Sequence, residues 1–300
     1  MKKEKNIPLW IGTSLLAILV FIMFAGPYLP FIDPNLEKET SRWVGEKLVL
    51  PAYSPSPDNL LGSDKKGVDN LSKLVVSAKE TIYIIITVGV IRYLIGVPLG
   101  LLSRKKKGIS HFIVTLMNQV FSYLPPIFSA ILLMAFPVLL FATHRLYWVL
   151  VILAVVEAGR VAVTVQAKAC QISKELYVEA GTALGLSSKR MLRKYYVPGM
   201  LPELLVSFCT DLGKVTLLLG QLAVLSIFLD QKWVETDYYT WQFVNTQFNW
   251  STLIADHRVE IRRAKFAFVF YPAFALMFTM LTFNLLGEGF RRKFRLRARM

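Results

Sequence analysis

The sequence predicts an all-α membrane protein with six transmembrane helices and both ends in the cytoplasm. Three observations carry that reading. Of 300 residues, 54% are hydrophobic and only 18% charged, against about a quarter charged in an ordinary globular protein. The apolar residues gather into runs of about 20, the length that crosses a bilayer as a helix. The cations sit at the ends of those runs, at Lys2, Lys3 and Lys5, at Arg104 to Lys107, at Lys189 to Lys194 and at Arg291 to Arg299. Counting inward from the ends, 20 of the 35 Lys and Arg residues fall on the segments this topology places inside, as the positive-inside bias requires. A net charge of +15 would otherwise point to nucleic acid, but cations placed this way exclude it. The sequence shows no internal repeat, low-complexity tract or separate soluble domain.

The first span is Leu9 to Leu29. It is too long for the apolar core of a signal peptide and ends in Gly26-Pro27-Tyr28-Leu29-Pro30 rather than a small-residue cleavage site. Residues 1–31 therefore form an N-terminal transmembrane helix, 32–78 an external segment and 79–300 the transmembrane core. Pro51, Pro55 and Pro57 forbid a long helix in the external segment. Ile82 to Leu102 is the second span, with Arg92 in its middle. Phe112 to Ala142 exceeds one span and is interrupted at Pro125-Pro126, which predicts a short lead-in and then the third span. Leu146 to Val165 is the fourth and carries Glu157 and Arg160. Leu204 to Leu229 is the fifth and carries Asp211 and Lys214. Phe266 to Leu286 is the sixth. A cation at a helix centre costs about 2.5–3.5 kcal/mol to insert, so Arg92, Glu157, Arg160, Asp211 and Lys214 face protein or water. Structural ion pairing and the lining of a hydrophilic path both satisfy that requirement. Arg258, Arg262, Arg263 and Lys265 would lie outside, in the long segment 230–265, whose Trp, Tyr and Asn residues also suit an interfacial belt.

Between the fourth and fifth spans lies YVEAGTALGLSSKRMLRKYYVPGMLP, Tyr177 to Pro202. Its pattern reads helix, break, helix. Leu176, Val178, Ala180 and Ala183 share a predicted apolar stripe. Gly185 supplies the left-handed helix end, and Ser187 or Ser188 the next cap. Met191, Leu192 and Tyr195 share a face, and Pro198 closes the unit. An amphipathic surface loop is one account of this pattern. The spacing adds another: Glu179-Ala180-Gly181, three residues, Gly185, nine residues, Tyr195, one residue, Val197-Pro198 resembles the EAA motif of ABC importer permeases.

Leu61-Gly62-Ser63-Asp64-Lys65-Lys66-Gly67-Val68-Asp69-Asn70-Leu71-Ser72-Lys73 can be a turn leading into a helix. It also resembles the L-G-T-D-x-x-G-R-D-x-x-S-R signature of the oligopeptide/dipeptide branch, with Gly62, Asp64, Gly67, Asp69 and Ser72 matching. Trp250-Ser251-Thr252-Leu253 is similar to the branch's W-G-x-L, and Asn284-Leu285-Leu286-Gly287-Glu288-Gly289 to its N-L-L-G-D-G. Val68, Val163, Gly181 and Leu229 depart from the family pattern. The resemblance implies the type I importer permease fold, with the central loop as a cytoplasmic coupling helix. It implies the C-type permease subunit of a peptide, oligopeptide or nickel importer in a prokaryotic cell membrane. The implied partners are a homologous second permease subunit, two cytoplasmic ATPase subunits and an extracytoplasmic substrate-binding lipoprotein. No G-x-x-x-x-G-K-[ST] occurs, so ATP would be bound by another chain. The two cysteines and three scattered histidines make no metal or redox motif, and neither a catalytic site nor a cofactor is expected. An ion-coupled secondary transporter using the five intramembrane charges is the alternative.

Overall fold

A computed structural model describes residues 6–44, 46–237, 240–258 and 266–297. The predicted inside cations Lys2, Lys3, Lys5 and Arg299, and the outside cations Arg262, Arg263 and Lys265, lie beyond these residues. The chain divides into two compact units, one of residues 1–12, 85–218 and 281–300, the other of 13–84 and 219–280. Four helices among the described residues are long and apolar enough to cross a membrane: α1 (Ile7–Phe24), α2 (Asn70–Leu102), α6 (Arg145–Ile172) and α11 (Ala267–Arg297). A fifth crossing exists if α3 (Ile109–Ser122) and α4 (Pro126–Met134), bent by 98° at their junction, act as one. The long helix α9 (Val197–Val224) carries Glu203, Asp211 and Lys214 and falls outside that group.

Several boundaries differ from the predicted ones for local reasons. The helix predicted from Ile82 begins at Asn70, because the Asp69 carboxylate accepts from the Ser72 backbone N–H at 2.7 Å and from its hydroxyl at 2.8 Å. That cap satisfies the first turn and starts α2 inside the stretch expected to be external. At Pro125-Pro126 the expected order is reversed. The longer helix, of 14 residues, precedes the break, and α4 with the four-residue α5 (Pro137–Leu140) follows it. Pro126 and Pro137 each stand in a first turn, where a missing N–H is harmless, so each proline starts a short helix.

Small residues let the helices of the first unit approach closely. A Cβ at Gly100 of α2 would stand 2.5 Å from the Ala162 carbonyl oxygen of α6, and one at Gly289 of α11 2.6 Å from the Leu9 Cα of α1. Packing through small residues is the main attraction between helices in lipid, where apolar burial gives little.

The second unit joins the start of α2 to the segment after α9. A short hairpin, β1 (Arg42–Val44) with β2 (Lys47–Val49), precedes α2. The antiparallel pair β3 (Gln231–Asp237) and β4 (Thr240–Asn245) follows α9. The short helix α10 (Trp250–His257) starts at a capping box in which the Asn249 side chain accepts from the Thr252 backbone N–H and the Thr252 hydroxyl accepts from the Asn249 backbone N–H. Trp250 is buried, donating its indole N–H to the Leu74 carbonyl at 2.8 Å. The Thr81 hydroxyl accepts from the Trp250 backbone N–H at 3.0 Å. Trp250 is thus a packing anchor rather than part of an interfacial belt. Trp233 and Trp241, stacked across the hairpin with ring centres 6.3 Å apart, are exposed.

Candidate functional site: an intramembrane charge network and a polar loop

All five charges singled out in the sequence meet in the first unit, on α2, α6 and α9. Arg92 is 1% exposed. It donates through one terminal nitrogen to the Leu153 carbonyl at 3.1 Å, and its other terminal nitrogen stands 3.5 Å from the Glu157 carboxylate. Arg160 donates to Glu157 and, at 3.2 Å, to Asp211. Asp211 also accepts from Lys214 at 3.2 Å and from the Tyr93 hydroxyl at 3.0 Å. Glu157 with Arg160 and Asp211 with Lys214 each pair within one helix, and Arg160 links the two pairs across α6 and α9. Tyr93 is the member sequence reasoning missed, since one tyrosine in an apolar run carries no signal of its own.

Two cavities border this network. One of about 150 Å³ is lined by Tyr93, Arg160, Glu203, Asp211 and Lys214 among others. The second, of about 240 Å³, is lined by Asn118, Pro126, Glu157 and Arg160 among others. Arg160 faces both. Asp211 is buried, whereas the side chains of Arg160 and Lys214 are 42% and 50% exposed.

The polar loop is built as α7 (Leu176–Ala183), a turn at Gly185, α8 (Ser188–Met191) and a π-helical turn over Leu192–Tyr196 that runs into α9. Gly185 has φ +73°, the left-handed conformation that glycine adopts most readily. Ser187 occupies the position before α8 in extended backbone, without a side-chain capping bond. The buried face differs from the predicted stripe. Val178 and Gly181, three residues apart, point inward, while Leu176, Ala180 and Ala183 point out. The reason is what lies beneath. Val178, Met191 and Tyr196 join a core with Val161, Val165, Ala169 and Ile172 of α6 and Met200 of α9. A Cβ at Gly181 would stand 3.0 Å from the Met191 sulfur, so glycine fits under that side chain more easily than alanine. Pro198 does not close the unit. It lies in the first turn of α9, where its missing N–H is tolerated.

The outward face is apolar at both ends, with Leu176 80% and Leu184 81% exposed. Glu179 is exposed between them and has no side-chain partner among the described residues. Lys189, Arg190, Arg193 and Lys194 are exposed beyond the turn.

A family model described as the binding-protein-dependent transport system inner membrane component matches residues 96–300. That stretch covers the loop and the network residues of α6 and α9, while Arg92 and Tyr93 lie just before it. The chain belongs to this family of importer permeases. It is a multi-pass inner-membrane subunit rather than an enzyme, and it works with ATPase and substrate-binding partners. The ion-coupled alternative gives way to this assignment. The permease is similar along most of its length to curated relatives. It is 24% identical over 288 residues to a probable D,D-dipeptide transport system permease protein of Escherichia coli, covering 96% of this chain and 87% of the relative. A dipeptide transport system permease protein of Bacillus subtilis is 24% identical over 289 residues, with coverage of 96% and 81%. An oligopeptide transport system permease protein of the same organism is 25% identical over 299 residues, with coverage of 96% and 90%.

The permease's Gly62–Lys73 segment, in the second unit, has a role for each matching residue. Asp64 accepts the backbone N–H groups of Lys66 and Val68 at 2.8 and 2.9 Å and pairs with Lys73. Burial pushes its carboxyl up, but the Lys73 ammonium and the two backbone donors outweigh that and hold it below the usual carboxylate range. Gly62 and Gly67 both have positive φ, and the Gly67 Cα lies against the Glu39 carbonyl. Asp69 caps α2 through Ser72, whose hydroxyl also accepts from the Asp33 backbone N–H at 2.9 Å. Val68, where the signature this segment resembles has arginine, is buried.

Proposed function

We propose that this permease is one half of the translocation pathway of a peptide importer. In this reading it pairs with a homologous permease and couples to two ATPase subunits through residues 176–196. An external binding lipoprotein delivers cargo to it. The peptide cargo is carried over from the names of the relatives. The observation that carries the coupling role is the outward face of α7. Two exposed leucines flank an unpartnered Glu179, while the inner face is packed onto α6 and α9, the helices that hold the charge network. A partner gripping the outer face would move those helices with it, the rigid-body motion that alternating access needs. Glu179, Ala180 and Gly185 form the docking surface, Gly181 seats the loop and Pro198 starts the helix leading away. Arg92, Glu157, Arg160, Asp211 and Lys214 line the pathway, and Gly62, Asp64, Gly67, Asp69 and Ser72 fix the fold of the external family motif.

The proposed topology has six spans with both termini cytoplasmic. The bent α3–α4 pair serves as the third and the charged α9 as the fifth. At about 1.5 Å per residue α9 is roughly 42 Å long, ample for the hydrocarbon core. The reading keeps an N-terminal helix over 1–31, an external segment over 32–78 and a core over 79–300. Single cysteines placed in a background lacking Cys170 and Cys209 test it. A cysteine at Ser56 or Gln242 should label from outside in intact cells and one at Ser188 should not; labelling at Ser188 would refute the topology.

A further inference from the structure

Arg160 lies 15 residues from the start of α6, and Asp211 14 residues from the start of α9. At about 1.5 Å per residue both lie roughly 18–23 Å from either end of their helices, near the middle of each. The network there is not neutral. Arg92, Arg160 and Lys214 face Glu157 and Asp211, leaving one positive charge in surplus. Each acid there already has a cationic partner. Both Asp211 oxygens accept hydrogen bonds, Glu157 is shared by two arginines, and Glu203 on the cavity wall is paired with Lys168 at 3.0 Å.

The donors are not used up. Arg160 makes both of its bonds through one terminal nitrogen, so its other N–H groups meet no acceptor among the described residues. Lys214 commits one of three ammonium hydrogens. Both side chains are about half exposed and line the 150 Å³ cavity. A cationic surplus with open donors in a low-dielectric site favours an anion with paired oxygens, the group a guanidinium fork matches best.

We propose that this cavity binds a carboxylate of the cargo, held between Arg160 and Lys214. The inference rests on the peptide reading, because every peptide with a free C-terminus carries such a group. Asp211 and Tyr93 are positioning residues here: one Asp211 oxygen accepts from both cations and holds them side by side at the cavity, and the Tyr93 hydroxyl fixes the other oxygen.

The test is thermal stability of the detergent-purified pair of permease subunits, which needs neither ATPase nor binding protein. Trialanine at about 100 times its Kd should raise the midpoint by about 2–4 °C, and trialanine amide should not. Ala-Glu-Ala amide separates the two carboxylate sources: a shift with it shows that a side-chain carboxylate suffices, and no shift assigns the site to the C-terminus. Lys214→Met should abolish the trialanine shift, and Lys214→Arg should retain most of it. Equal shifts for trialanine and its amide, a shift unchanged in Lys214→Met, or no shift with any peptide would overturn the proposal. The peptide reading stands or falls separately, on uptake of labelled trialanine by the complete complex in proteoliposomes.

Discussion

Replacing Glu157 by glutamine removes the one carboxylate beside Arg92 while keeping its shape. Arg92 is 1% exposed and 3.5 Å from that carboxylate. At an effective dielectric constant of 20 the lost attraction is about 5 kcal/mol. Glu157 also serves Arg160, but Arg160 is partly exposed and keeps Asp211, so its share is small. Breaking a buried pair by removing one member costs about 3–5 kcal/mol. That should lower the melting midpoint of the purified permease by roughly 6–15 °C. Arg92→Met acts on the other partner with a different outcome. It removes the buried cation and its bond to the Leu153 carbonyl, leaves Glu157 bound to Arg160, and should cost about 0–2 kcal/mol. In the Arg92→Met background, Glu157→Gln should then cost under about 1 kcal/mol. The double mutant would be more stable than Glu157→Gln alone, a coupling of about 2–4 kcal/mol. Fluorescence-detected melting of all four proteins in one detergent gives the cycle. Additive effects, or a Glu157→Gln no worse than Arg92→Met, would refute this account of how Arg92 is held in the membrane.

Two further outcomes follow from the loop and from the external segment. Gly185 has positive φ, and nothing lies within 4 Å of where a Cβ would stand, so Gly185→Val meets no clash and costs only the left-handed backbone, about 1–2 kcal/mol. Gly185→Asn, which tolerates that conformation, should keep ATPase retention near wild type while Gly185→Val loses it; equal retention would show that the turn geometry is irrelevant. The Asp64 carboxyl is held below its ordinary value, so its stabilisation is full above the unfolded value near 3.9 and is lost as pH falls through the folded one. Melting midpoints should drop as pH falls below about 4, and Asp64→Asn should flatten that drop; an unchanged acid profile would contradict the ion pair with Lys73.

How much of this was legible in the sequence depended on the kind of signal. Ionisable residues in apolar runs are conspicuous because each is costly there, so all five network charges were visible. Their mutual arrangement was not, because spacing reports only neighbours on one helix, and the Arg160–Asp211 link joins two. Tyr93 was hidden for the same reason. Gly185 was readable because a glycine after a helical run has a specific backbone use. The buried face of α7 was misassigned because apolarity alone ranked Leu176, Ala180 and Ala183 above Gly181. What decides burial there is Met191 folding back over the glycine. The β3–β4 hairpin went unread because aromatics that also suit a membrane surface masked a short alternating pattern. The start of α2 at Asn70 was readable as a turn leading into a helix at Leu61 to Lys73, but the predicted span begins at Ile82, where the apolar run becomes continuous.

The central claim is that the outer face of α7 transmits the work of an ATPase to the membrane helices. The most direct measurement is affinity purification of the permease from membranes carrying its partner subunits, with uptake assayed in the same membranes. Glu179→Arg and Leu184→Glu alter groups that are exposed among the described residues. Both variants should insert normally and retain the second permease, yet lose the ATPase subunits and uptake together. Full ATPase recovery with normal uptake in both would contradict the account.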